Sequence, residues 1–380
     1  MQDKDKVGVA IIGCGAISGI FFRNLTKEFG IIKVIACCDL NTELAESVAK
    51  EHSLEAKTID EIIADERIEI VVNLTPPEAH YDIIMKLLEN GKHVYTEKVL
   101  VPEFEKAIEV VDFAEAKKLM LCSAPDTFIG AAVQTVRGLI DSGMIGTVTS
   151  CVSVLQRDAR LLAEKFPYTS RVGGGIGIDV GIYYTTAMIN VLGGVEEVCG
   201  MSGIIEPNQT HYFVKNKNFG EKYVQESETY LMGTLKFDSG CIGTVHFNSR
   251  SIRTEKPYVA FYGTEGILFL EDPNFFGGSV KMILKGQTEP IEVPLTHGYD
   301  GDNRGLGVAE MAWSMKAGRV PRTNGKMALH ALEILTGIVK SDETKSFYKL
   351  QTKFSKTPMI PKGYLGSSYA ANDPEAGISI

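Results

Sequence analysis

A chain of 380 residues, at about 150 residues per domain, has room for two to three domains and a large core. Hydrophobic residues at 44%, charged residues at 23% and 38 glycines lie near the soluble globular average apart from the glycine excess, which excludes disorder, collagen and coiled coil. Thirty-nine basic against 48 acidic side chains give a formal charge of −9 without a basic block, which argues against nucleic acid as a partner. No run of apolar residues is long enough to span a membrane and the charged start is no signal peptide, so a cytoplasmic protein with no membrane partner is expected.

From residue 6 to about 123, short β-branched runs alternate with amphipathic stretches, the pattern of a parallel sheet wound with helices on both faces. Strands are predicted at VGVAII (7–12), IKVIACC (32–38), EIVVNL (69–74), HVYT (93–96) and LMLCS (119–123). Residues 76–90 carry proline in the first turn, Ile83, Ile84, Leu87 and Leu88 at helical spacing, and Gly91 as a stop, which predicts a helix. Residues 102–118 repeat the logic with Pro102 first and Phe104, Ile108, Val111 and Ala114 along one stripe. Beyond residue 145 the period becomes two: YLMGTLKF, the turn Asp238-Ser239-Gly240 and CIGTVHFN read as an antiparallel hairpin. Helices are expected at 179–192, 303–318 and 326–340, and the tail after about 350 as a surface extension. Two domains are expected, at 1–124 and 125–380, the second sheet-rich.

The seven cysteines are scattered, mostly in apolar runs as Cys37, Cys38 and Cys122 are, and form no CxxC pair, so buried inert thiols are expected. The seven histidines show no ligand spacing, and no metal is expected.

Strand VGVAII runs into Gly13-Cys14-Gly15-Ala16-Ile17-Ser18-Gly19 and then a helix, so bare backbone and a helix N-terminus meet where a dinucleotide pyrophosphate binds. Ser18 stands where the third glycine of GxGxxG falls. Asp39 ends the second strand and is placed to accept hydrogen bonds from the adenosine ribose. A carboxylate there repels a 2′-phosphate, so NAD is expected as cofactor rather than NADP. The alternative for Asp39 is an N-cap of the next helix, a role open also to Asn41 and Thr42.

Ligands of open parallel sheets bind beyond the carboxyl ends of strands. Thr75, Pro76 and His80 follow EIVVNL, Glu97 and Lys98 follow HVYT, and all are expected to face the cofactor crevice, with Lys98 at the nicotinamide end. His80 could equally be a packing histidine and Lys98 a solvated loop lysine. Further on, Gly173-Gly174-Gly175 leads into a helical stretch bearing Asp179 and Tyr183, four apart and so on one face. They form a candidate acid/base pair; otherwise Asp179 caps the helix and Tyr183 packs with Ile182 and Met188.

GVAIIGCGAIS, TPPEAH, YTEK and GGGIGIDVGIYY, in this order and spacing, resemble the glucose-fructose oxidoreductase, inositol dehydrogenase and MocA (Gfo/Idh/MocA) family over residues 7 to about 345. The resemblance implies an α/β protein: an N-terminal Rossmann dinucleotide-binding domain and a C-terminal α/β domain with an open, mainly antiparallel sheet, the active site lying between them. It implies catalysis by Lys98, from the family's Glu-Lys-Pro motif, and by Asp179 with Tyr183. Two positions depart from the pattern. Val99 replaces the proline after the lysine, and Tyr183 stands where histidine is frequent, as in the branch with glucose-fructose oxidoreductase and the dimeric dihydrodiol dehydrogenases. Residues 124–127 also differ from substrate loops of characterised members, so substrate identity does not carry over.

Together these features point to an NAD-dependent oxidoreductase that moves a hydride between nicotinamide and a secondary hydroxyl of a sugar, cyclitol or related polyol. Tyr183 is the expected base, made phenolate by the nearby ammonium of Lys98; Lys98 also holds the reacting oxygen, and Asp179 orients Lys98 or binds a neighbouring hydroxyl. Alternatives are a tightly held, recycled cofactor serving two sugars or a redox-assisted glycosidic cleavage, and a nonenzymatic NAD-binding sensor. Arg157, Arg171 and Asp126 could contact substrate or form ion pairs. On the hairpin, Leu235, Phe237, Val245 and Phe247 share one face, and Tyr230, Met232, Thr234, Ile242 and Thr244 the other. The second face is apolar enough to predict a homodimer or homotetramer through the sheet, unless the tail after Leu350 folds over it.

Overall fold

The β-branched runs of the first third pair side by side in the computed structural model, which describes residues 5–162, 166–252 and 256–362. They are β1 (Val7–Ile12), β2 (Ile32–Cys38), β3 (Glu55–Ala56), β4 (Ile70–Asn73), β5 (His93–Thr96) and β6 (Leu121–Ser123). All run parallel, in the order β3-β2-β1-β4-β5-β6. Ile12 pairs with Cys38 and Asn73, and Asn73 with Thr96, so four strands finish level. The order reverses beside β1, and a crevice opens there beyond the strand ends.

Helices α1 (Ser18–Lys27), α2 (Thr42–His52), α3 (Ile59–Ala64), α4 (His80–Glu89) and α5 (Phe104–Ala116) connect these strands. Every side chain of β1 is buried, which is why the strand reads as an unbroken apolar run. The helix predicted at 76–90 opens with a 3-10 turn, Pro77–Ala79, before α4.

The second sheet has nine strands: β7 (Val148–Gln156), β8 (Val195–Gly203), β11 (Tyr230–Phe237), β12 (Ile242–Asn248), β13 (Tyr258–Gly263), β14 (Gly266–Glu271), β15 (Val280–Leu284), β16 (Ile291–Glu292) and β17 (Tyr348–Lys349). A separate ribbon joins β9 (Asn208–Thr210) to β10 (Lys222–Val224). Every pairing in the large sheet is antiparallel except β7 with β12. The sheet is therefore open and mainly antiparallel, as expected. Helices α6 (Ala131–Asp141), α7 (Ile182–Leu192), α8 (Leu306–Ala317) and α9 (Gly325–Thr344) complete the fold.

The hairpin faces divide as predicted. Leu235, Phe237, Val245 and Phe247 are buried, and Ile338 of α9 reaches the sheet over Gly200 and Gly233, whose missing side chains make room for it. On the opposite face Met201 is 65% and Ile242 42% exposed. The tail departs from expectation. Residues 350–362 do not extend into solvent or cover that open face; Phe354 stacks on His330 of α9, Lys356 pairs with Asp141 of α6, and Ile360 is buried. Backbone capture explains the difference: Arg322 donates to the carbonyls of Pro358 and Met359, each at 2.8 Å, and Gln134 accepts from the Ile360 amide at 3.0 Å. Residues 363–380 lie outside the described residues.

The two sheets are tied together from the C-terminal side. Ser123 on β6 donates to Thr323 O at 2.9 Å, and Cys122 forms a β-bridge with Asn324, the N-cap of α9. The side-chain amide of Asn24 in α1 donates to the carbonyls of Asp302 and Arg304, both at 2.9 Å. Among the described residues no helix is long and apolar enough to cross a membrane.

Candidate active site

At the end of β1, Gly13 adopts φ +98°, and a Cβ there would meet the Leu74 carbonyl at 2.9 Å; both facts require glycine. Gly15 is different: nothing lies within 4 Å of where its Cβ would be. Gly15 and Ala16 are exposed and Ile17 half-buried, which leaves the backbone open to a pyrophosphate at the start of α1. Ser18 closes the turn by donating both its amide, at 3.1 Å, and its hydroxyl, at 2.8 Å, to Gly15 O. A serine therefore does by hydrogen bonding what the third glycine does by closeness.

Asp39 is not the helix cap. Asn41 takes that role, accepting from the Leu44 amide at 3.1 Å. Instead Asp39 Oδ2 accepts from the Cys14 amide at 2.8 Å and Oδ1 from the Asn41 amide at 2.9 Å. The carboxylate thus pins the glycine loop to the end of β2, at the position from which a ribose diol is read.

Thr75 and Pro76 follow the carboxyl end of β4, Thr75 being fixed by its hydroxyl's 2.7 Å bond to Asn73 Oδ1. His80 does not face it. The ring is fully buried, with Nδ1 2.7 Å from Val99 O and Nε2 3.0 Å from Thr75 O. Burial pulls its pKa down, and the imidazole joins the loop after β4 to the loop after β5.

Beyond β5, Glu97 accepts from the Lys98 amide at 2.9 Å, and the Lys98–Val99 peptide is cis. Lys98 Nζ lies 2.6 Å from Asp179 Oδ1, 2.6 Å from Asp179 O and 3.4 Å from Tyr168 OH. Tyr168 in turn donates to Asp179 Oδ1 at 2.8 Å. Asp179 sits in a π-helical turn, Gly177–Gly181, that runs into α7, and Tyr183 is in the first turn of α7. Lys98 Nζ is 5.9 Å from the centre of the Tyr183 ring. The sequence-predicted trio therefore comes together.

The charge states follow from burial and pairing. Burial pulls the Lys98 ammonium down, but Asp179 and Tyr168 more than offset it and its pKa stands well above that of an ordinary lysine. Burial pushes the Asp179 carboxyl up, and Lys98 outweighs it, leaving the pKa lowered. For Tyr183 burial wins over the pull of Lys98, and the phenol is pushed up to about 12. Burial of the ring thus works against the expected phenolate and favours the neutral phenol near pH 7.

Two members of the cluster were not evident in the sequence. Tyr168 belongs to a short 3-10 turn, Pro167–Ser170, and Arg304, bonded to Asp302 and Asn274, lies close enough to Tyr183 for their charges to interact. Of the other candidates, Asp126 is committed to backbone: its Oδ2 accepts from the Gly305 amide at 3.0 Å and the Gly307 amide at 2.9 Å, and burial pushes it up to about 6. Arg171 reaches Glu78 in the turn before α4 at 3.7 Å, and Arg157 lies within electrostatic reach of Asp179.

The sequence matches two family models, the oxidoreductase family, NAD-binding Rossmann fold, over residues 7–124 and the GFO/IDH/MocA C-terminal domain over residues 133–269. An oxidoreductase of Schizosaccharomyces pombe known as C115.03 is 28% identical over 49% of this chain and 52% of its own, so the match spans about half of that relative's length. The scyllo-inositol 2-dehydrogenase (NAD(+)) of Bacillus subtilis is 27% identical over 70% of this chain and 74% of its own. In fold, a levoglucosan dehydrogenase solved in complex with NADH superimposes with a TM-score of 0.78 at 18% identity, over 91% of this chain and 100% of that one. With both halves of the pattern matched in order, the chain belongs to the Gfo/Idh/MocA oxidoreductase family.

Proposed function

We propose that the protein is an NAD-dependent dehydrogenase that oxidises a secondary hydroxyl of a sugar, cyclitol or related polyol, with residues 1–124 carrying the cofactor and 125–380 the substrate. The observation that carries this reading is the Lys98–Asp179 pair at 2.6 Å beside the buried Tyr183 phenol, beyond the strand that borders the cofactor crevice. NAD bound along Gly13–Ile17 and Asp39 supplies the hydride acceptor. Lys98 and Tyr183 then hold the reacting oxygen from two sides. As negative charge grows on that oxygen, the ammonium and the neutral phenol both strengthen their bonds to it. The hydroxyl proton passes to Lys98 as Lys98 gives one of its own to Asp179, so no free alkoxide accumulates.

The test is NADH formation across a panel of sugars, inositols and sugar acids, with NAD⁺ and NADP⁺ compared. A hit with NAD⁺ is expected, and a slower rate with NADP⁺, because its 2′-phosphate would press on Asp39. NAD binding without turnover of any member would favour a sensor and sink the dehydrogenase; equal rates with both cofactors would sink the role of Asp39.

We further propose that two copies associate through the open face of the large sheet. Tyr230, Met232, Thr234 and Thr244 with Met201 and Gln156 border a shallow concavity of ≈ 650 Å³, and the described tail packs on the helix side. Light scattering at micromolar concentration is expected to give a multiple of the chain mass, reduced to one chain by Met201→Glu with Ile242→Glu. A one-chain mass for the unaltered protein, unchanged on dilution, would remove the dimer.

A further inference from the structure

Behind the catalytic trio lies a carboxyl group that the reaction as described leaves idle. Glu228 sits between β10 and β11, with its carboxyl group pressed against the backbone of Gly175. A Cβ on Gly175 would fall 1.9 Å from Glu228 Cδ and within 2.0 and 2.1 Å of its two oxygens. Only glycine fits there, so the last glycine of the lead-in has a physical reason: it lets a buried acid reach the start of the π-helical turn. The main chain fixes the approach, since the Ile176 amide donates to Glu228 O at 3.2 Å. Glu228 Oε1 is buried without a hydrogen bond of ordinary geometry, the Gly177 and Ile178 amides lying near the carboxyl group, and a buried carboxyl oxygen so placed requires an explanation.

A narrow cavity supplies one. It has a volume of ≈ 10 Å³ and is lined by Asp179 and Glu228 together with Thr169, Gln225 and Ser249, which is room for about one water in polar surroundings. The other polar groups are already engaged. Gln225 donates to Thr169 O and Ser227 Oγ and accepts from Arg250, and Ser249 donates to Thr229 O. Lys98 and Tyr168 both bond to Asp179 Oδ1, which leaves Oδ2 without a bond from either.

We propose that this cavity holds a water linking Asp179 to Glu228, and that Glu228 is the outlet for the proton released when the substrate hydroxyl is oxidised. The inference rests on the dehydrogenase reading for the source of the proton, but not for the link itself. The steps balance. The substrate O–H bond breaks as Lys98 takes that proton and passes one of its own along the 2.6 Å contact to Asp179. Asp179 releases a proton to the water, and the water gives one to Glu228, which later yields it to solvent. The electron pair of the broken C–H bond leaves separately with the hydride, so nothing in the relay is oxidised or reduced.

Electrostatics suits Glu228 to the last step only, since the transfer from Lys98, held high, to Asp179, held low, runs uphill and has to be driven by the oxidation. Burial pushes the Glu228 carboxyl up to about 7, against the opposing pull of its own amide and those of Gly177 and Ile178. Near neutral pH it therefore exchanges its proton readily. The titratable group facing it across the cavity is Asp179 on the π-helical turn; Tyr168 stands behind Asp179, and Arg250 behind Gln225. Thr169, Gln225 and Ser249, the other polar lining groups, are neutral.

Infrared difference spectra of the NAD-loaded protein between about pH 5 and about pH 9 read this link without a substrate. Asp126, pushed up to about 6, also titrates in this range; beside its band a second protonated-carboxyl band titrating near neutrality is expected, absent in Glu228→Gln and displaced in Asp179→Asn. A Glu228 band in the ordinary carboxylate range, or one indifferent to Asp179→Asn, would overturn the proposal. With a turned-over polyol, Glu228→Gln is expected to lower kcat about ten-fold with KM unchanged and a larger solvent isotope effect, less than the loss of a group touching the proton itself. Glu228→Asp, the safer variant for folding, should recover part of the rate, and an unchanged isotope effect in both variants counts against the outlet. If no polyol is oxidised, the dehydrogenase reading fails while the infrared titration still decides the link.

Discussion

Lys98→Met is expected to lower turnover of an identified polyol by about 10²–10⁴-fold while NAD still binds. The methionine fills much of the same space but removes the ammonium that, in the proposed reaction, holds the reacting oxygen and relays its proton. The glycine loop and Asp39 are untouched, so NAD affinity, measured by calorimetry or by quenching of protein fluorescence, should stay near normal. Lys98 and Asp179 are each 14% exposed, so the variant also strands a carboxylate; adding Asp179→Asn should recover stability without recovering turnover. Tyr183→Phe removes one of two donors to the developing negative charge, and about 10²–10³-fold is expected. Turnover within about ten-fold of normal in Lys98→Met would move the proton to another group.

The largest expected loss of stability comes from a place remote from the crevice. Glu310 on α8 is 0% exposed and lies 2.6 Å from Arg319 Nη1 and 2.9 Å from Arg322 Nη1; Arg322 is itself 2% exposed. Arg322 also holds the tail through Pro358 and Met359. Glu310→Ala leaves buried guanidinium groups without their carboxylate and is expected to cost about 3–5 kcal/mol in urea unfolding, against about 1 kcal/mol or less for an exposed pair. Burial pushes the Glu310 carboxyl up, but the two arginines prevail and its pKa is lowered. Its contribution is therefore present above the unfolded glutamate pKa and is lost as pH falls through the lower folded value. A cost under about 1 kcal/mol would mean that the network is compensated by water or repacking.

The cofactor half was the more legible in the sequence because its chemistry is local. Gly13 needs a backbone conformation that side chains resist, Gly15 needs open backbone, and Asp39 closes the next strand; all three follow from a few neighbouring residues. Lys98, Asp179 and Tyr183 were legible by position, since strand ends and one helix face bring them toward the crevice. Tyr168 and Arg304 were not, because each lies in an irregular segment and reaches the site only through long-range packing. His80 shows the same limit in reverse: its place in the TPPEAH segment points to the crevice, whereas burial turns both ring nitrogens to backbone carbonyls. The direction in which the Tyr183 phenol shifts was hidden for the same reason, since a neighbouring ammonium can be read from the sequence and burial cannot. The capping box of α3, Thr58 with Glu61, by contrast, stands in the residues themselves.

The seal on the first sheet carries a consequence for biosynthesis. The exposed side of β6 is covered by residues 323–324, through the bond from Ser123 to Thr323 and the bridge from Cys122 to Asn324. That covering segment emerges from the ribosome about 200 residues later, a delay of roughly 10–40 s at ordinary elongation rates. Throughout that interval the nascent nucleotide-binding half presents an unfinished strand with free backbone donors and acceptors, a template for pairing with other chains. Until α9 has been made that edge has no cover from its own chain, and a fragment ending near residue 124 would lack the cover that the whole chain supplies to itself.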